Sequence, residues 1–325
     1  MSFVRFNQTD IVNDTAKITT STWTNNTNEL TDAHTSSIQA NFGSPTSSGA
    51  HYLEIYNANP QTDTTAEVQY AVAYGHRGGS GSLDFTNAIG GFGKSPTRNV
   101  YSQYRQLVFG TETQDFSFEQ VTPPDIYVIN INRSRYKHNL KPGSLNLVLG
   151  ANNSERIHLT DDSVTVSGSA TVTNAGRQFN IVSGSNGVRV GSTNIPFTDS
   201  GSFGFFYPDS GFIVLNPLAL GFQSALTPND SSNTDGQNPL KLRNSIKAGA
   251  SFIVDSEEKV SSTYYFARAR NFEFNYTTNP SFVDSNGNVL VNSMIDNPTT
   301  YITTVGMYND AGDLLAVAKL SQPIT

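Results

Sequence analysis

The sequence predicts a mainly β protein of antiparallel, sandwich-like sheets with a few short helices, arranged in one or two domains. Three observations support this fold class. Aromatic residues make up 11% of the 325 residues and charged residues only 14%, which suits strands better than helices. Several short runs alternate apolar and polar residues. Pairs and triplets of Gly, Asn, Asp and Ser separate these runs, as tight turns require.

The strand predictions come from short apolar runs. EVQYAVAYG (67–75) alternates with period 2 and predicts a strand with one buried face, and FARARNFEFNY (266–276) repeats the pattern with aromatic residues. DIYVININ (125–132) is apolar on both faces and predicts a central strand. GSLNLVLG (143–150) and GFIVLN (211–216) predict shorter buried strands. The turns PDSG (208–211) and DSNG (284–287) predict two further hairpins.

Helix signals are few. SPTRNVYSQYRQLVF (95–109) predicts a helix capped by Ser95, with Pro96 first and Leu107 on its apolar side. Asn-Pro pairs beginning at Asn216 and Asn238 predict two more helix starts.

The domain prediction has three parts. Residues 1–226 form an N-terminal β-rich domain with short helices, and a meander insert lies near 162–191. Residues 227–239 form a linker or a surface loop, and 240–325 form a C-terminal β-rich domain that ends in a hairpin.

Composition limits the possible functions. The net charge of −7 argues against a general nucleic-acid binder, because phosphate binding needs an excess of Lys and Arg. With no cysteine there is no disulfide and no thiolate chemistry. Since no long apolar stretch and no signal-like N-terminus is present, we expect a soluble chain without a membrane contact or a cleaved signal.

The motifs that would indicate an enzyme are weak. AIGGFGKS (88–95) fits a relaxed phosphate loop, but GSLDFTN before it is a poor central strand, so a Gly-rich surface loop is favoured. The five histidines lack metal-ligand spacing, and GHRGGSGS (75–82) forms no nucleophile elbow. The pairs Asp161-Asp162 and Glu257-Glu258 are predicted to be solvated turns. The sequence therefore predicts no enzyme, with no catalytic, cofactor-binding or metal-ligating residue.

Two segments are candidates for assembly contacts. NRSRYKHNLKPG (132–143) is the most basic stretch, and it is either a patch for an anionic partner or a solvated turn. The C-terminal run from 301 to 325 predicts a hairpin around NDAG with apolar residues on both faces. That hairpin is either central in the sheet of the C-terminal domain or completed by a partner. The candidate contact residues are Tyr301, Val305, Met307, Leu315, Val317, Arg133, Arg135 and Lys137.

Four groups of stretches carry a family resemblance. They are AEVQYAVAYGHRGGSGS; SPTRNVYSQYRQLVFG; PPDIYVININRSRYKHNLKPGSLNLVLG with GFFYPDSGFIVLNPLAL; and TTYITTVGMYNDAGDLLAVAKLSQP. Together they resemble virion structural proteins of tailed bacteriophages, most closely those of contractile-tailed phages of cyanobacteria. The resemblance implies a virion protein that is assembled in the host cytoplasm and has no catalytic residues or cofactor. The segment VGMYNDAGDLLAV is similar to segments of phage baseplate and tail proteins.

The predicted function is therefore that of a structural subunit of the tail or baseplate. Its implied partners are other virion proteins and copies of itself in a symmetric assembly. A neck, collar or head position is an alternative. A receptor- or carbohydrate-binding adhesin is another, since Tyr207, Tyr264 or Tyr265 could stack on sugars.

Overall fold

A computed structural model describes residues 5–35, 52–79, 96–119, 121–150, 156–165, 170–189, 202–224, 226–228, 238–268 and 271–324. The chain divides into two compact units. The larger unit comprises residues 16–260, and the smaller unit combines residues 1–15 with residues 261–325.

The described residues are mainly in β-strands, which confirms the predicted fold class. The strands are β1 (Ile11–Ser21), β2 (Glu29–Leu30), β3 (Tyr52–Tyr56), β4 (Val68–His76), β5 (Asp125–Ile131), β6 (Asn139–Leu140), β7 (Asn146–Gly150), β8 (Arg156–Asp161), β9 (Thr171–Thr173), β10 (Gly176–Ser185), β11 (Val188–Arg189), β12 (Gly204–Tyr207), β13 (Phe212–Leu215), β14 (Phe252–Ile253), β15 (Asp255–Tyr265), β16 (Ile302–Tyr308) and β17 (Leu314–Ile324).

The main sheet of the larger unit follows the order β2-β14-β7-β8-β10-β12-β13-β5-β4-β3, with β9 and β11 also paired to β10. A second sheet has the order β1-β15-β6. Strand β5 lies between β13 and β4, where Val128 is opposite both Val214 and Ala73. This central place confirms the prediction from its apolar sequence.

The main sheet curls so that its two ends approach each other. Leu30 pairs with Phe252 of β14 at one end, and four residues later His34 bridges to Tyr56 of β3 at the other end. The ring of Trp23 lies 4.9 Å from that of Phe252 and its Nε1 donates to the Phe252 carbonyl oxygen at 2.8 Å. Residues 29–34 therefore connect both ends of the sheet, and the contact between Trp23 and Phe252 lies at the β14 end.

Apolar clusters cover both faces of the sheet. Neighbouring residues of a strand point to opposite faces, and in β4 Val72 belongs to one cluster and Ala73 to the other. The prediction that β4 has only one buried face is wrong, because helix α1 (Thr97–Phe109) packs over the second face. A Cβ on Gly75 would lie 2.8 Å from the backbone nitrogen of Tyr101, so glycine permits this close approach.

Helix α1 differs in detail from the prediction. Pro96 occupies the N-cap position instead of the first helical turn, and Ser95 lies outside the described residues. Leu107 is 43% exposed, which corrects the prediction that it is buried. Val108 is buried in its place, because it follows Tyr104 by four residues on the buried row of the helix.

Within its described residues, the larger unit also contains the α-helices α2 (Pro217–Ser224) and α3 (Asn238–Gly249). The side chain of Asn216 accepts a hydrogen bond from the backbone nitrogen of Leu218 at 3.1 Å, as expected of an N-cap residue.

The division into two units does not coincide with the predicted linker at 227–239. Residues 240–260 belong to the larger unit. The physical reason is that α3 packs on β7, while Phe252 of β14 pairs with both Leu147 and Leu30. These pairings with earlier strands hold the segment in the main sheet.

The smaller unit contains β16 and β17 together with two short helices, α4 (Asn271–Phe274) and α5 (Ser293–Asp296). The predicted strand at 266–276 is wrong, because β15 ends at Tyr265 and α4 follows. An extended segment also needs a neighbouring strand to satisfy the hydrogen bonds of its backbone groups, and none of the described strands pairs with residues 266–276.

Among the described residues, no helix has the length and apolar character needed to span a membrane.

Candidate assembly surface

The terminal hairpin, residues 301–324, closes through the turn that the sequence predicts. The backbone nitrogen of Gly312 donates to the carbonyl oxygen of Asn309 at 3.0 Å, and Gly312 has a φ of +86°. The side chain of Asn309 accepts from the backbone nitrogen of Asp313 at 2.7 Å. Glycine fits the positive φ, and the Asn309 side chain fixes the exit from the turn.

The hairpin forms a two-stranded sheet of its own. Val305 of β16 is opposite Ala318 of β17, and Gly306 is opposite Val317. No third strand pairs with this sheet within the described parts of the chain. The alternative that placed the hairpin in the centre of a larger sheet of its own domain is therefore wrong for these residues.

The predicted contact residues of the hairpin retain substantial exposure. Tyr301 is 65% exposed, Leu315 is 67% exposed and Val317 is 58% exposed. Val305 and Met307 are half-buried, and their cross-strand neighbours are alanines. None of the described residues of the hairpin is fully buried. Both strands thus combine apolar composition with exposure to solvent.

One face of the hairpin is organised around Gly306. A Cβ at this position would lie 3.1 Å from a ring carbon of Tyr308 and 3.3 Å from Cδ1 of Leu314. Tyr308 and Leu314 are themselves 40% and 51% exposed. The two side chains lie beside the glycine and form a small apolar surface that is exposed to solvent.

The rest of the smaller unit also lacks an apolar core in its described residues. Within residues 5–15, 261–268 and 273–324, Val283 is the one apolar residue that is buried. Large apolar side chains elsewhere in the unit are exposed. They include Phe6, Tyr264, Tyr265, Tyr276, Leu290 and Ile295. Sequence reasoning had considered Tyr264 and Tyr265 for sugar stacking, and Tyr276 belongs to the alternating run 266–276, whose pattern indicated a buried face. It missed Phe6, Leu290 and Ile295.

The basic stretch makes contacts within its own chain. Arg133 donates to the carbonyl oxygens of Tyr136 and Lys137. Arg135 forms an ion pair with Glu67 at 2.8 Å, and the amine of Lys137 lies 2.9 Å from a carboxylate oxygen of Glu258. These three predicted contact residues lie in the larger unit, and the predicted contact residues of the hairpin lie in the smaller unit.

The described residues contain no group of three or more His, Asp or Glu side chains arranged to hold a metal ion. His76 ends β4, where its Nδ1 accepts from the backbone nitrogen of Gly78 at 3.0 Å and burial lowers the pKa of the imidazole. His34 lies 2.9 Å from a carboxylate oxygen of Asp32. His138 and His158 are exposed.

Several predicted chemical features lie outside the described residues. The phosphate-loop-like stretch 88–95 with Lys94 is one of them, and His51, Ser80 and Ser82 are the others.

Two acidic residues differ from the prediction of solvated turns. Asp161 is fully buried, and its carboxylate accepts from the backbone nitrogens of Gly143 and Ser163 at 2.9 and 3.2 Å. Burial raises the pKa of Asp161, while these hydrogen bonds oppose the rise. Glu257 is 5% exposed and lies 3.5 Å from the amine of Lys17. Asp161 thus binds the backbone at Gly143 and Ser163, and Glu257 links β15 to Lys17 of β1 by an ion pair.

No protein-family model, curated protein or solved structure matches the chain significantly.

The tyrosines considered for sugar stacking separate into two groups. Tyr207 is fully buried and its hydroxyl donates to Gln178 at 2.9 Å, so its ring is closed to a ligand. Tyr264 and Tyr265 are about half exposed at the end of β15. Of all the candidates, the exposed apolar surface of the smaller unit, with the terminal hairpin as its largest regular element, is best suited to binding another protein.

Proposed function

We propose that this chain is a structural subunit of a tailed-phage virion, located in the tail or baseplate, and that it acts by protein–protein assembly. The terminal hairpin is the observation that carries the proposal. It is an apolar two-stranded sheet in which no described side chain is fully buried. The sequence resemblance to virion structural proteins supports the same function and gives the preference for tail or baseplate over neck, collar or head.

The physical argument is that such a hairpin is stable only when something covers it. An isolated two-stranded hairpin is marginal in water, and three or more strands or a packed face are needed for stability. Full burial of one large apolar side chain contributes about 1.5–3 kcal/mol. Because Tyr301, Leu315 and Val317 are each more than half exposed, a partner that covers them gains about 1–2 kcal/mol from each.

Deletion of residues 301–325 tests the proposal. We expect the phage that encodes this chain to lose particle assembly, because the deleted hairpin supplies the surface that its neighbours bind. The purified variant should keep the circular dichroism of the larger unit and the emission of Trp23, the single tryptophan.

The matched control is Val172→Lys, which alters a valine that is 77% exposed in β9 of the larger unit. This variant should assemble normally. Normal numbers of infectious particles from the deletion variant would contradict the proposal.

Tyr264 and Tyr265 favour a second candidate, a receptor- or carbohydrate-binding adhesin, because adjacent exposed rings can stack on sugars. Binding of the purified chain to host polysaccharide, abolished by Tyr264→Ala with Tyr265→Ala, would support this function. Equal binding by the double variant would count against it.

A further inference from the structure

We infer that the partner of the terminal hairpin is a second copy of this chain. The two copies pair along β16 about a two-fold axis, so that two hairpins form one four-stranded sheet. This inference rests on the proposed function, since it takes the hairpin as an assembly surface, and it adds the identity of the partner and the edge that it uses.

The two outer edges of the hairpin differ in how well they are protected against strand pairing. Natural proteins protect exposed edges with Lys and Pro. Strand β17 contains Lys319 and Pro323, whereas β16, with the sequence ITTVGMY, contains neither and has no charged residue. Among the described strands of the hairpin, β16 is therefore the one whose edge lacks protection against another strand.

Antiparallel pairing of β16 with its own copy gives favourable neighbours at both ends of the strand. The strand has seven residues, so a two-fold axis at Val305 places Ile302 of each copy opposite Tyr308 of the other. Pairs of aromatic and β-branched residues stabilise a sheet. A two-fold interface uses the same surface on both copies, and an uncharged apolar strand is complementary to itself.

The charges of the hairpin select the antiparallel arrangement. Asp310 and Asp313 lie at the turn, at one end of the hairpin. Antiparallel copies place their turns at opposite ends of a strand that is about 23 Å long. This separation exceeds the Debye length of about 8 Å at physiological ionic strength. Parallel copies would bring the four carboxylates together.

The number of strands also favours a second copy. Pairing converts two marginal two-stranded sheets into one sheet of four strands, which exceeds the three strands that stability needs. Since the smaller unit has a single buried apolar residue within 5–15, 261–268 and 273–324, this gain concerns the part of the chain that needs it most.

Charge substitutions at Val305 test the inference on the full chain. By sedimentation velocity we expect the natural chain to be a dimer. Val305→Lys and Val305→Glu should each raise the dissociation constant on the order of tenfold or more, because like charges would lie directly opposite each other at the axis. An equimolar mixture of the two variants should form dimers again. Val172→Lys, the exposed valine of the larger unit, should leave the dimer unchanged.

A natural chain that stays monomeric at about 100 µM, a Val305→Lys chain with undiminished dimerisation or a mixture that stays monomeric would overturn the inference. A monomeric chain whose particles still require residues 301–325 overturns the second-copy partner and leaves the proposed function standing. A dimeric chain whose particles form without these residues overturns the proposed function and leaves the second-copy partner standing.

Discussion

The end of α3 supports a prediction in which two adjacent substitutions have opposite effects on stability. Helix α3 ends at Gly249, where a Cβ would lie 1.8 Å from the carbonyl oxygen of Val148 in β7. The next residue, Ala250, has a φ of +53° and its backbone nitrogen donates to the carbonyl oxygen of Ile246 at 3.1 Å. Glycine is thus required for space at 249, whereas 250 is the position that has the left-handed conformation.

The magnitudes follow from these geometries. Gly249→Ala forces the helix to move away from β7 by about 1.5 Å, and overpacking of this kind costs about 1–3 kcal/mol. The higher helix propensity of alanine returns up to about 1 kcal/mol. Ala250→Gly relieves about 1–2 kcal/mol of left-handed strain, from which the greater entropy of glycine in the unfolded chain subtracts about 0.5–1 kcal/mol.

Differential scanning calorimetry of the full chain measures both effects. For a unit of this size, 1 kcal/mol corresponds to a change in Tm of about 2–4 °C. The middle of each range leaves a net cost of about 1.5 kcal/mol for Gly249→Ala and a net gain of about 0.75 kcal/mol for Ala250→Gly. We therefore expect Gly249→Ala to lower the Tm by about 3–6 °C and Ala250→Gly to raise it by about 1.5–3 °C. An unchanged or higher Tm for Gly249→Ala would refute the close approach of α3 to β7, and a lower Tm for Ala250→Gly would refute the left-handed helix end.

Two further predictions concern the larger unit. Trp23→Ala should cost about 3–5 kcal/mol of unfolding free energy in a urea titration followed by circular dichroism, because Trp23 is 2% exposed and packs on Phe252; a loss below 1 kcal/mol would contradict its place in the core. Burial raises the pKa of Asp161 in the folded chain. Above the usual pKa of 3.8, the folded state therefore binds more protons than the unfolded state. The part of the unfolding free energy that comes from protonated Asp161 is lost as the pH rises. In urea titrations at several pH values, the unfolding free energy of Asp161→Asn should therefore decrease less with rising pH than that of the natural chain. Equal slopes of unfolding free energy against pH for both chains would refute the raised pKa.

The sequence predicted features that depend on neighbouring residues. The turns at 309–312 and 208–211 were predictable because glycine at the last position can adopt the positive φ that Gly312 and Gly211 have. The central position of β5 was predictable because its residues are apolar on both faces. The same local reasoning was wrong for Leu107, since a shift of one residue along α1 decides which side of the helix is buried.

Features that depend on distant residues were not predictable. Two acidic residues in sequence resemble a solvated turn, and only the position of Gly143 and Ser163 around Asp161 shows that this carboxylate is buried and bound. The aromatic run at 266–276 has the alternation of a strand, but it lacks a neighbouring strand among the described residues, and its centre forms α4 instead.

By itself, the sequence determined the β class, the positions of the tight turns and the apolar character of both faces of the terminal hairpin. These properties follow from side-chain chemistry and from residues a few positions apart. The tertiary structure decided that residues 29–34 connect the ends of the main sheet and that the terminal hairpin stands as a two-stranded sheet. Strand pairing and burial join residues that are far apart in the chain, so the exposure of Tyr301, Leu315 and Val317 follows from the folded structure and not from the local sequence.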